Sequence, residues 1–200
     1  MKILDLASVK YLERMNIADP SRLIAECIAG NEDAIEVFVR QYEKDIFRLA
    51  LSIVNDPTEA HEITQETFIA ALKSLPAYQE KRSLRAWLYT IGLNLSRSHL
   101  RKHRLVERLR NTLTTIFQID VQKQSSTEEV VIQNEKETLI WEALNKLDDR
   151  HRMVIVLRYF HEFSIIEISE ILSIHEGTIH SRLHTARQRL KNTLEQLRGR

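Results

Sequence analysis

The sequence predicts an all-α protein built as two small helical domains, and three observations carry that prediction. Apolar residues recur at steps of three and four along most of the chain, the spacing of one helix face. Only four glycines and three prolines occur among the 200 residues, too few turn residues for a sandwich or a doubly wound sheet. No stretch alternates apolar and polar residues as a half-buried strand does. At this length the chain fits one large domain or two small ones.

Charge is uneven along the chain although the formal net charge is only +1. From Lys81 to Arg110 there are nine Lys and Arg against the single acid Glu107, and from His175 to Arg200 six against Glu176 and Glu195. The segments Ser21 to Gln79 and Gln124 to Asp149 are net acidic. Two basic patches thus alternate with two acidic ones. The single cysteine, Cys27, lies in the apolar pattern Leu23, Ile24, Cys27, Ile28 and reads as a small buried hydrophobe. No apolar run approaches the roughly 18 residues that a membrane span needs, and the first residues lack the apolar core of a signal peptide. The expectation is a cytoplasmic protein with no membrane insertion and no cofactor.

Residues 1–20 read as an N-terminal extension, after which Ser21 can cap the first helix. The pattern Ala34, Val37, Phe38, Tyr42, Ile46, Leu49, Ala50, Ile53 predicts a second helix, ended by Asn55-Asp56-Pro57, a turn signal. A third runs to Leu75-Pro76 with Ile63, Thr67, Ala71 and Leu75 on one face. Near Ser83 a fourth begins, and it carries two stripes: Leu84, Trp87, Leu88, Ile91 and Leu95, and, on another face, Arg97, Arg101, Arg104 and Arg108. One stripe suits a core and the other an anion.

Periodicity fades from Leu105, and residues 105–135 are read as a polar, flexible linker. Helical spacing resumes with Leu139, Ile140, Ala143, Leu144 and Leu147. Asp148-Asp149 can cap a further helix carrying Met153, Val156, Leu157 and Phe160. Ser164-Ile165-Ile166-Glu167 matches the capping box. The helix that it starts is short and is followed by a tight turn at Ser173-Ile174-His175. A second helix follows, with Ile179, Leu183, Ala186 and Leu190 facing inward. Two short helices joined in this way form a helix-turn-helix. Its second helix displays Thr178, His180, Ser181, Arg182, His184, Thr185 and Arg187 outward, groups that can hydrogen-bond base edges and phosphates in a major groove.

With Ile168 to Leu172 and the run Glu176-Gly177-Thr178-Ile179-His180-Ser181-Arg182-Leu183 in view, the C-terminal part resembles the promoter-binding domain of extracytoplasmic-function (ECF) RNA polymerase sigma factors. Glu59 to Phe68 resembles that family's polymerase-binding helix, and Trp87 to Asn94 its −10-reading helix. The resemblance implies a region 2 domain over 21–104 and a region 4 domain over 136–200 that reads the −35 element. It implies that Glu59, Glu62, Gln65 and Glu66 face the clamp helices of the polymerase largest subunit, which agrees with their acidic stripe. It implies that Asn94 and the loop Tyr78 to Ser83, including Lys81 and Arg82, hold a flipped −10 base while Arg97, Arg101 and Arg104 take phosphates, as unstacked strands require. Core RNA polymerase, promoter DNA and an anti-sigma factor are the implied partners, with the polymerase flap receiving the C-terminal domain. Some positions depart from the family pattern: His61 stands where an acid is common, Tyr78-Gln79 replaces Phe-Arg, Ser173 replaces a turn glycine, and His180 and Thr185 replace cations.

Two other readings explain part of the chain. A helix-turn-helix repressor or activator accounts for the C-terminal segment alone, and a helical adaptor accounts for the charged stripes without DNA. The pairs His99/His103 and His180/His184 have metal-ligand spacing but lack a third ligand and sit in basic segments. No phosphate loop or nucleophile elbow is present, so no enzymatic activity is expected.

Overall fold

In the computed structural model, which describes residues 20–79, 83–117 and 135–198, the chain is helical. Four helices come from the first half: α1 (Pro20–Ile28), α2 (Glu32–Val54), α3 (Pro57–Ser74) and α4 (Leu84–Phe117), with a short 3-10 turn (Leu75–Ala77) after α3. The second half supplies α5 (Glu135–Asn145), α6 (Asp149–Ile155), a π-helical turn (Val156–Phe160), α7 (Ile165–Leu172) and α8 (Glu176–Arg198).

Local chemistry sets the helix ends. Asn31 caps α2 by accepting from the Ala34 amide at 3.3 Å, and Asp56 caps α3 through the Glu59 amide at 2.8 Å. Both bonds satisfy donors that a helix start leaves open. Between them Asn55 takes the left-handed conformation, φ 58°, and returns its amide to the Leu51 carbonyl. Asparagine tolerates that region better than most residues, so Asn55-Asp56-Pro57 ends one helix and begins the next.

The apolar faces predicted from spacing on α2 and α3 are buried, and on α4 the buried face is shifted. Phe38, Ile46, Leu49 and Ile53 of α2 and Ile63, Thr67 and Ala71 of α3 are buried; on α4 Leu84 and Leu88 are buried as expected, whereas Trp87, Ile91 and Leu95 are half-buried and Ala86, Tyr89 and Leu93 are buried in their place. Cys27 is buried in the same core, and burial, with Glu26 adding to it, pushes its thiol up to about 11. That protonated thiol packs as a small apolar group.

Helix α4 does not stop where the apolar pattern fades at Leu105. It continues to Phe117, with Leu105 and Val106 exposed. At Leu105 and Val106 the fading apolar pattern therefore marks exposure and not the end of the helix. The remainder of the expected linker, and the extension before Pro20, lie outside the described residues.

The two helical modules are packed on each other, and one apolar core runs through both. Helix α7 lies on α4 and α6 on α2. Phe163, fully buried, meets Tyr89 edge-on at 4.7 Å, and the Tyr89 hydroxyl and His161 Nδ1 share a hydrogen bond of 2.8 Å. Burial, outweighing nearby Asp45, pushes His161 down to about 4, so it is neutral near neutral pH.

Candidate nucleic-acid interface

The expected −10 residues divide between a loop and one helix face. Tyr78 is half-buried and packs on Trp87 with ring centroids 5.1 Å apart. Ser83 starts α4, its carbonyl accepting from the Trp87 amide at 2.9 Å. Lys81 and Arg82 lie outside the described residues. On α4, Asn94, Arg97, Arg101 and Arg104 step by three, four and three and so share a face. Asn94, Arg101 and Arg104 are exposed and Arg97 is half-buried. Burial, followed by the like charges of Arg182 and Arg101, pushes Arg97 below its ordinary value.

The acidic stripe lies on α3, which packs on α4. Glu62, Gln65 and Glu66 are exposed and Glu59 is half-buried. Glu66 Oε2 meets His99 Nε2 of α4 at 3.0 Å, and at about 100° per residue His99 lies on the side of α4 opposite Asn94, Arg97, Arg101 and Arg104. His61, on the same helix, stacks against Phe47 at 4.4 Å.

The helix-turn-helix forms as its sequence predicts. Ser164 and Glu167 close the capping box: the Glu167 amide donates to the serine hydroxyl at 3.2 Å, and the Ser164 amide donates to Glu167 Oε2 at 2.8 Å. The turn passes through Ser173 at φ 53°. The Ile174 amide then donates to the Ser169 carbonyl at 3.2 Å, while the Ser169 hydroxyl donates back to the Ile174 carbonyl at 2.6 Å. Buried Ile168, Ile171, Ile179, Leu183 and Ala186 clamp α7 on α8. His180, Ser181, His184 and Arg187 are exposed, and Thr178, Arg182 and Thr185 are half-exposed. Farther along α8, Arg189 donates to Asp148 Oδ2 at 2.7 Å, tying that helix to the cap of α6. Burial works against the charged Asp148, yet bonds from His151 and Arg189 hold its carboxyl below its ordinary value.

Sequence reasoning missed the residues between the modules. Arg152 is buried and donates to the Ile53 carbonyl at 2.8 Å, Asn145 donates to Asn55 Oδ1 at 2.9 Å, and Arg104 pairs with Asp149 at 2.8 Å. Arg85 donates to the His161 carbonyl at 2.8 Å and stacks over Phe163 at 4.3 Å. Partners this distant in sequence leave no periodic signal.

A helical module with a cationic face, followed by a helix-turn-helix, defines a two-module DNA-binding protein. Comparison with known proteins narrows the class. Sigma-70 region 2 matches residues 38–106 and Sigma-70 region 4 matches residues 143–192. The ECF RNA polymerase sigma factor SigW of Bacillus subtilis is 35% identical over 174 residues, covering 84% of this chain and 92% of SigW. SigL of Mycobacterium tuberculosis is 33% identical, covering 76% of this chain and 84% of SigL. CnrH, solved in complex with the cytosolic domain of CnrY, superposes with a TM-score of 0.62 at 26% identity over 86% of this chain and 95% of that one. The chain belongs to the ECF sigma factors, the RNA polymerase subunits for promoter-specific transcription initiation.

Proposed function

We propose that residues 21–104 bind core RNA polymerase and hold the −10 element, while residues 136–200 dock on the −35 element as duplex DNA. The observation that carries this reading is the face Asn94, Arg97, Arg101, Arg104 on α4, together with the acidic stripe of α3, in one chain with a helix-turn-helix. Cations contribute sequence-independent affinity for phosphates, and an amide among them can read an unstacked base edge. Glu59, Glu62, Gln65 and Glu66 take the polymerase clamp helices.

Thr178, His180, Ser181, Arg182, His184, Thr185 and Arg187 read the major groove, where serine, threonine and neutral histidine can donate or accept and arginine suits guanine or phosphate. Exposed Phe160, with Trp141 stacked on it at 5.1 Å, offers an apolar surface suited to the polymerase flap. Two modest sites on one chain reinforce each other through effective concentration, and each stays weak enough to release. An anti-sigma partner belongs to the same reading, since CnrH was solved with the cytosolic domain of CnrY bound. The protein works in the cytoplasm; among the described residues no helix is long and apolar enough to cross a membrane.

Run-off transcription on a fragmented genomic library, with core polymerase and with or without the purified chain, tests the proposal. Discrete start sites that require the chain are expected, with shared −10 and −35 sequences upstream. Specific DNA binding without polymerase would replace this reading with a repressor or activator, and binding to neither with an adaptor.

A further inference from the structure

We propose that His99 is the positioning residue for Glu66 in polymerase binding: from inside the helix pair it fixes the glutamate carboxylate, in the free chain, in the orientation that the polymerase clamp takes up. This rests on the assignment of Glu66 to the polymerase.

The pair stands at the rim of the contact between α3 and α4. Gly92, Ser96 and His99 step by four and three and so form one stripe of α4. Gly92 lies against Thr67 of α3, whose Oγ1 would be 3.4 Å from an added Cβ, and Ser96 is fully buried. Next to Thr67, Glu66 turns its Oε2 to His99 Nε2 at 3.0 Å. The His99 side chain is 14% exposed and that of Glu66 50%. An imidazole held between two helices thus grips a carboxylate that still reaches solvent. Unlike Arg104 and Arg152, which bond across the seam between the modules, His99 bonds within the first one.

An ionised carboxylate only accepts, so His99 Nε2 carries the proton and donates. A carboxylate has about four acceptor sites, and one bond from His99 leaves room for an arginine or lysine of the polymerase. A glutamate that rotates freely must be ordered when it is bound, which is part of the cost of association; a bond already made in the free chain lowers that cost. As a tie between helices alone the pair would add little, because partly exposed ion pairs contribute little to stability. On α4 His99 lies opposite Asn94, Arg97, Arg101 and Arg104, so its replacement leaves the proposed DNA face as it is.

In the full chain, His99→Leu and His99→Ala remove the donor with and without side-chain bulk, and His99→Gln keeps an N–H donor at nearly the place of Nε2. Each is measured, alone and with Glu66→Ala, for affinity to bacterial core polymerase, for affinity to a single-stranded mixed-sequence oligonucleotide at low salt, and for Tm. His99→Leu and His99→Ala are expected to weaken polymerase binding by about three- to fivefold, the worth of one partly exposed charged pair. His99→Gln should restore most of that loss, with Tm and oligonucleotide affinity held throughout. With Glu66→Ala present, the same substitutions should cost nothing further. Wild-type polymerase affinity in both truncations, an equal loss in the Glu66→Ala background, or a glutamine no better than leucine would each overturn the proposal. A parallel loss of oligonucleotide affinity would overturn it too, since that marks a general loosening of the module. If Glu66→Ala by itself leaves polymerase affinity unchanged, the assignment of Glu66 fails, and the proposal with it.

Discussion

Ser173→Gly is expected to stabilise the protein, and the reason lies in three left-handed residues that are not glycine. Asn55, Glu162 and Ser173 have φ of 58°, 58° and 53°. An L side chain in that region costs roughly 1–2 kcal/mol, because Cβ crowds the following carbonyl. Glycine removes this cost but gives back about 0.5–1 kcal/mol through its freer unfolded chain. Ser173 is exposed and its capping bond to the Ser169 carbonyl comes from the backbone amide, so the substitution leaves the cap of α7 in place. The net gain is about 0.5–1 kcal/mol, or a rise of roughly 1–4 °C in Tm for a chain of this size.

Glu162→Gly, at an equally exposed position, should gain at least as much. Asn55→Gly should gain nothing or lose stability, because asparagine tolerates the region and its Oδ1 accepts from Asn145 across the seam at 2.9 Å. Thermal unfolding followed by circular dichroism ranks the three. A lower Tm for Ser173→Gly, or a gain at Asn55 equal to that at Ser173, would refute the reasoning.

Tyr89→Phe leaves His161 Nδ1 without its 2.8 Å partner in a buried site, which should cost about 1–3 kcal/mol in urea unfolding; an unchanged midpoint would mean that water enters the seam. His161 is held near 4, below its ordinary 6.5. A depressed folded value gives stability that is whole above pH 6.5 and lost as pH falls toward 4, about 2 kcal/mol of it by pH 5. His161→Gln should therefore reduce the difference in unfolding free energy between pH 7 and pH 5 by roughly that amount. Arg97→Ala with Arg101→Ala should lower open-complex formation in a permanganate footprint while leaving polymerase binding intact; loss of polymerase binding would move those residues out of the DNA site. The same double variant should flatten the slope of log affinity against log salt by up to about two, one for each phosphate that is no longer neutralised.

Much of this protein is decided over short stretches of sequence. The capping box at Ser164 and Glu167, the Asn55-Asp56-Pro57 break, the cap at Asp148 and the inward faces of α2, α3, α7 and α8 all follow from residues within a turn or two of one another. Such interactions have a fixed geometry wherever the chain lies, so spacing alone reveals them. The placement of Asn94, Arg97, Arg101 and Arg104 on one face of α4 was legible for the same reason, as was the grouping of Thr178 to Arg187 on α8.

Tertiary packing decided what those residues touch. Nothing local distinguishes Arg152, buried against Ile53, from Arg150 beside it, which is exposed. Nothing near Arg104 announces Asp149, and nothing near Tyr89 announces His161. Leu105 shows the same limit in reverse, since it is exposed yet lies well inside a helix whose backbone bonds continue. Periodicity reports burial along one element; the seam joins side chains separated by many tens of residues, which only the packed chain brings together.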